Sequence, residues 1–255
     1  MKLIAITREV SPALERCELT HLPRARIDIS RARRQHEAYE CCLAAAGCAI
    51  TRLPAGDDMP DSVFVEDVAV VFEELAVVTR PGAASRRAET PLIADALGRF
   101  RTLKTIESPG TVDGGDVLVV GRRVFVGLSS RTNEAGIEQM RQILEPYGYT
   151  VRGVDVSGCL HLKSAVTRLA DDRLVINPEW VDIEDFEGFA LVTVDPAEPF
   201  AANVLRIGET LICAQAHPLT RRRLEACGFA VTTVDVSETA KAEGGVTCCS
   251  LIFVA

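Results

Sequence analysis

Asp113-Gly114-Gly115-Asp116-Val117-Leu118-Val119-Val120-Gly121-Arg122-Arg123-Val124-Phe125-Val126 carries two short apolar runs divided by a polar turn, the pattern of a β-hairpin. The pattern recurs at 68–72 with 76–78, at 165–169 with 174–176, and at 204–207 with 211–212. A fifth copy forms if Ser250-Leu251-Ile252-Phe253 pairs with Leu3-Ile4-Ala5-Ile6, joining the two ends of the chain. Between the hairpins lie helical stretches that stop at a glycine, where the left-handed conformation costs least. They run over 35–47, 133–148 and 220–228, and each precedes another short strand. Residues 84–100 read as a further helix and 183–188 as a shortened one. The chain therefore reads as hairpin, helix, strand units repeating every 40 to 50 residues or so, a period suited to a radial array.

Equivalent units have equivalent entrances. The residues just before each hairpin are Phe64-Val65-Glu66-Asp67, Asp113-Gly114-Gly115-Asp116, His161-Leu162-Lys163-Ser164, Ala201-Ala202-Asn203 and Gly244-Gly245-Val246-Thr247-Cys248-Cys249. A strand entry into a core should be apolar, because buried charge is costly without a partner. Carboxylates, a histidine and a cysteine recurring at one phase therefore point to a shared central site.

The composition narrows what such a site binds. At 255 residues and 47% hydrophobic, the chain can bury a sizeable core, and it reads as one domain over 1–255. A formal charge of -8 argues against nucleic acid or an anionic membrane as partner and favours a cationic small molecule. No stretch approaches the roughly 18 apolar residues of a membrane span, and Leu3-Ile4-Ala5-Ile6 is too short for a signal peptide. A soluble, cytoplasmic protein is the expectation. Nine cysteines without a CxxC pair read as reduced thiols. Cys41, Cys42, Cys48 and Cys227 read as small apolar fillers. Nothing selects an oligomeric state, and a homodimer stays open.

Four histidines are present, and only His161 stands at the repeat phase; His21 falls on a loop, His36 at a helix start and His217 before Pro218. A thiol with pKa near about 8.5 is mostly protonated at neutral pH, so a nucleophilic cysteine needs a nearby cation or base. Gly244-Gly245 permits the tight turn such a nucleophile requires. Cys248 is the candidate nucleophile, since Cys249 begins a strand and fits as a buried hydrophobe. Among Glu66, Asp67, Asp113 and Asp116, two carboxylates could grip a planar cation and one could orient His161. Arg80 and Arg131 each follow a second strand and could clamp a substrate carboxylate. Without a second histidine or a closely spaced Cys or His pair, a zinc site is the weaker use of Cys248, His161 and Asp113.

Six ordered motifs then resemble the dimethylarginine dimethylaminohydrolases of the guanidine-modifying (pentein) superfamily: 60–67, Thr79-Arg80-Pro81-Gly82, 110–116, Arg131-Thr132-Asn133, 160–164 and Thr247-Cys248-Cys249-Ser250. The resemblance implies an α/β fold, a five-bladed propeller of ββαβ repeats around a pseudo-fivefold axis. It implies Cys248 as nucleophile, His161 as acid and base, and Asp113 as its orienting carboxylate. Asp67 and Glu66, beside Phe64, would hold the guanidinium of a methylated arginine. Arg80 and Arg131 would bind the α-carboxylate, and Asp61 with main-chain groups near Leu19 and Ala242 the α-amino group. It implies no cofactor and no metal.

Arginine deiminases, which resemble this chain less, carry a second acid shortly after the catalytic histidine. Here Lys163-Ser164 stands there, which moves the expected substrate from arginine to its methylated forms. A binding protein without catalysis and an amidino transferase are the other readings. Residues 8–28 are polar and turn-rich, and read as a lid.

Overall fold

The computed structural model describes residues 2–255. Its strands are β1 (Leu3–Arg8), β2 (Ala49–Leu53), β3 (Ala69–Val71), β4 (Leu75–Val78), β5 (Thr102–Thr105), β6 (Val117–Val120), β7 (Arg123–Leu128), β8 (Thr150–Asp155), β9 (Val166–Ala170), β10 (Arg173–Ile176), β11 (Ala190–Thr193), β12 (Val204–Ile207), β13 (Thr210–Ala214), β14 (Ala230–Val234) and β15 (Leu251–Val254). The α-helices are α1 (Ile29–Ala45), α2 (Thr90–Leu97), α3 (Glu134–Leu144), α4 (Leu162–Ala165), α5 (Pro218–Ala226) and α6 (Ser237–Ala240).

The strands form five three-stranded sheets. In each, two strands pair antiparallel and the third joins in parallel. A parallel neighbour needs a crossover, and α1, α2, α3 and α5 supply four of them. In the fourth sheet a 3-10 turn, Ile183–Phe186, takes that place, so this unit is the eroded one. Leu3 pairs with Val254 and Ile6 with Leu251, so the last strand of the chain completes the first sheet.

Apolar side chains collect at the junctions between sheets. One cluster joins the first and second sheets around Ile6, Ile93 and Leu97, and the next joins the second and third around Val77, Val126 and Met140. Phe125, Leu162 and Ile176 continue it, then Leu169, Val175 and Leu211. Tyr39, Leu43 and Ile212 link the fifth sheet back to the first. Because every unit buries its flanks on two neighbours, the five units close into a ring. Its centre is a cavity walled by β3, β6, β9, β12 and β15.

Local structure departs from the sequence expectations at several points. α1 starts at Ile29 rather than near 35, because the Asp28 side chain caps it by accepting from Arg31 N at 2.9 Å; His36 is accordingly inside the helix and buried. The stretch 84–100 divides into a 3-10 run, Ala84–Glu89, and α2, with Pro91 at its start, where a missing N–H costs nothing. β15 starts after Ser250, whose hydroxyl meets Tyr39 Oη at 2.6 Å. Cys41 and Cys227 are exposed rather than buried, since they fall on the outer faces of α1 and of the turn after α5. No helix among the described residues is long and apolar enough to cross a membrane.

Candidate active site

Short helical turns precede the first strands at the phase picked out in the sequence: Val65–Val68, Gly114–Asp116, α4 and Pro199–Ala202. Asp67 on the first of them and His161 just before α4 reach the same cleft. Asp61, Phe64, Asp67, Arg131, His161, Ala242 and Cys248 line a single narrow cleft.

His161 stands with Nε2 at 3.0 Å from Asp113 Oδ2 and Nδ1 at 3.7 Å from Asp67 Oδ1. Asp113 is itself fixed, accepting from Gly82 N at 2.9 Å. Gly115 leaves the room this requires, since a Cβ there would lie 2.5 Å from His161 Nδ1 and 2.7 Å from Asp67 Oδ1. Asp116 acts from behind. It accepts from Leu162 N at 2.9 Å and from the hydroxyls of Ser129 and Thr132 at 2.7 Å each, which fixes the backbone next to the imidazole. Burial disfavours a charged His161, but Asp67, Asp113 and Asp116 outweigh it and lift the imidazole to about 9. At neutral pH it is an imidazolium, ready to donate a proton.

Cys248 lies half-buried in the turn before β15, with Sγ accepting from Gly245 N at 3.3 Å. Burial, then Glu66 and Asp67, push its thiol up to about 12. The turn is held by Glu66 N, which donates to Cys248 O at 3.1 Å, and by Asn203, whose Oδ1 accepts from Thr247 N at 3.1 Å. Cys249 faces the core between the fifth and first sheets, as expected, although it lies in the turn and not in the strand. The left-handed residue of this stretch is Glu243, with φ 59°, rather than either glycine. Gly244 instead admits Phe64, whose ring would meet a Cβ at 2.3 Å.

Three of the expected binding residues fall outside the cleft wall. Glu66 turns to the ring centre, where Lys163 Nζ at 2.5 Å and Thr247 Oγ1 at 2.8 Å bind its carboxylate. Arg80 donates to Gly110 O at 3.2 Å, bracing a loop. Leu19 packs on the neighbouring apolar cluster, and Glu18 lines the cleft in its stead. The second arginine of the wall is Arg86. Its buried guanidinium donates to Asp67 Oδ2 at 2.5 Å, to Glu89 at 2.8 and 3.2 Å, and to the carbonyls of Asp61 and Phe64 at 3.1 and 3.2 Å. Only its i,i+3 spacing to Glu89 marked it in the sequence.

Arg86 also determines what Asp67 can do. One oxygen is taken by the arginine, while Oδ1 is buried without a hydrogen-bond partner among the described residues. His161 and Arg86 together hold this carboxyl below the usual range despite burial. A buried anionic oxygen lacking a donor is costly, and it marks the place where a cationic ligand gains most. Asp61, raised to about 6 chiefly by burial, accepts from Glu18 N at 3.1 Å.

The expected lid shortens. Arg8, Val10, Ser11, Ala13, Leu14 and Cys17 are buried while Glu9, Pro12, Glu15 and Arg16 are exposed, so the stretch up to Cys17 is anchored and the run without buried residues begins at Glu18. Asp67, Asp113 and His161 bring three ligand atoms within 4.8 Å of one another, with Asp67 in the place given to Cys248 above.

Cys, His and Asp converging beside a cation-seeking carboxylate set the frame for comparison with known proteins. A family model described as N,N dimethylarginine dimethylhydrolase, eukaryotic, matches residues 21–254. The chain belongs to that family. It is 42% identical to the N(G),N(G)-dimethylarginine dimethylaminohydrolase of Streptomyces coelicolor, over 97% of this chain and 95% of that one. The Pseudomonas aeruginosa enzyme of the same name is 40% identical, over 89% and 90%. A solved structure of a cysteine-to-serine mutant of the Pseudomonas aeruginosa enzyme, complexed with citrulline, superposes with a TM-score of 0.95 at 36% identity, covering 99% of this chain and 100% of that one. The N-terminal domain of ArgZ, an arginine dihydrolase in Cyanobacteria, shares the fold with a TM-score of 0.88 at 17% identity, over 98% of each chain. The protein is thus a hydrolase of a C–N bond in a small molecule, built on the guanidine-modifying fold.

Proposed function

We propose that this chain hydrolyses Nω-methylated L-arginine, asymmetric dimethylarginine and monomethylarginine, to L-citrulline and the corresponding amine. The observation that carries the reading is the unpaired, buried Asp67 Oδ1 facing His161 in the cleft that also holds Cys248. The guanidinium binds there. Its charge offsets that of Asp67 and lowers the cost of ionising the thiol, which sheds its proton to solvent on substrate binding. The thiolate attacks the guanidinium carbon, and the His161 imidazolium protonates the departing dimethylamine or methylamine as the C–N bond breaks. A cysteine thiouronium remains. Water then attacks it, the now neutral imidazole takes one of the water's protons, and the C–S bond breaks as the C=O forms and the remaining hydroxyl proton passes to solvent, returning the thiolate and releasing citrulline. Asp113 keeps the imidazole oriented through both steps.

Arg131 and Arg86 face the α-carboxylate, and Asp61 with the Ala242 backbone faces the α-ammonium. Lys163 occupies the position of a second acid and neutralises Glu66, so one carboxylate, Asp67, is left to bind the guanidinium, and methylated nitrogens need no partner. Citrulline release from asymmetric dimethylarginine, monomethylarginine and arginine, with mass detection of an adduct on Cys248, tests the proposal. The methylated substrates should be faster. Faster turnover of arginine, or unchanged release from Cys248→Ser, would refute it.

A further inference from the structure

The segment after Cys17 is tied to the cleft by side chains of the cleft itself. Thr20 N, His21 N and Leu22 N donate to the Glu243 carboxylate at 2.9, 2.6 and 2.8 Å. Consecutive amides converging on one anion form a nest, and bonds to a charged acceptor are the strong ones. Two further ties are weaker. Asp61 accepts from Glu18 N at 3.1 and 3.3 Å, and Arg131 Nη2 donates to Thr20 Oγ1 at 3.2 Å. Lys241 Nζ reaches Arg26 O at 3.1 Å, so 241–243 serves as a platform for the whole segment.

Glu243 is the non-glycine residue with positive φ, 59°, among the described residues. That conformation is strained for a glutamate and persists because the carboxylate has something to hold. Glu243 stands in the cleft wall with its neighbours Ala242 and Gly244, so the latch and the substrate site share one backbone.

We propose that Glu243 is a positioning residue: its carboxylate anchors residues 20–22 so that 18–22 roofs the cleft while Asp61 and Arg131 exchange their ties for substrate. This rests on the function proposed above, in which those two groups take the α-ammonium and α-carboxylate. Substrate then displaces both weaker ties, and Glu243, with its three amide bonds, carries most of the remaining hold on the roof beside the Ser85 hydroxyl, which donates to Glu18 Oε1 at 2.6 Å. Without it, ordering the segment becomes a cost of binding. The loss appears in KM rather than kcat, because Glu243 does not touch the reacting atoms.

Glu243→Gly removes the carboxylate and relieves the strained backbone; Glu243→Gln keeps the length and loses one charged acceptor. Two measurements decide. Amide exchange at residues 20–22 in the ligand-free protein should quicken at least about tenfold in the glycine variant, with a smaller change for glutamine. Steady-state citrulline release should show KM raised about tenfold or more with kcat within about threefold. Unchanged exchange and KM in both variants, or a fall in kcat with KM constant, overturns the proposal. If the wild-type protein releases no citrulline, the proposed function fails, while the exchange measurement still decides the latch.

Discussion

Cys248 should be an unreactive thiol in the free protein and should gain reactivity as charge is removed from Asp67. Burial with Glu66 and Asp67 sets it at about 12, against 9.0 for an ordinary thiol. That displacement cuts the thiolate fraction about 1,000-fold, while the higher basicity returns about 16- to 30-fold in intrinsic nucleophilicity for a Brønsted slope of about 0.4 to 0.5. Disulfide exchange at Cys248 should therefore run about 30 to 60 times slower than at an exposed thiol, before any steric factor. Cys41 and Cys227 are exposed and provide the internal reference. The assay is labelling with 4,4′-dithiodipyridine, followed by quenching and peptide mass mapping across a pH series. The Cys248 rate should rise about tenfold per pH unit from about pH 7 to 10, because the thiolate fraction tracks hydroxide throughout that range. Asp67→Asn, or added guanidinium ion, should accelerate it. A steric block would lower the rate without changing its slope, so the slope is diagnostic. Labelling as fast as Cys227 at about pH 7.5, or a plateau between about pH 7 and 8, would show that the carboxylates do not suppress the thiol.

Arg86→Met leaves Asp67 and Glu89 buried without their shared cation, and should cost about 3 to 5 kcal/mol, or roughly 6 to 20 °C in Tm; a loss below about 1 kcal/mol in urea unfolding would contradict the pairing. His161 titrates at about 9 in the folded chain against 6.5 unfolded. Its raised value makes the contribution to stability fully present below about pH 6.5 and lost as the pH rises through about 9, a swing of about 3 kcal/mol. His161→Gln should flatten unfolding stability over that window, and an unchanged slope would place the titration on another group.

The sequence by itself determined the units and their number. Hairpin spacing and glycine stops are local signals, set by backbone conformation, and all five sheets are where those signals placed them. It also marked the phase at which polar side chains gather, because polar residues at strand entries are conspicuous against the apolar pattern. Asp113, His161 and Cys248 were legible for that reason. Distances between units are a different matter, since they depend on how the ring closes. Arg80 and Arg86 are equally charged and lie six positions apart, yet only the second reaches the cleft, carried there by a 3-10 run that broke the expected helix. Glu66 and Asp67 are adjacent, but the turn Val65–Val68 sends one to the ring centre beside Lys163 and the other to the cleft. The segment expected to be a lid behaved the same way: its first half is anchored because Val10, Leu14 and Cys17 find apolar partners only in the assembled ring. What remained hidden in the sequence was thus the partnering of charges, which burial enforces and which only the tertiary structure decides.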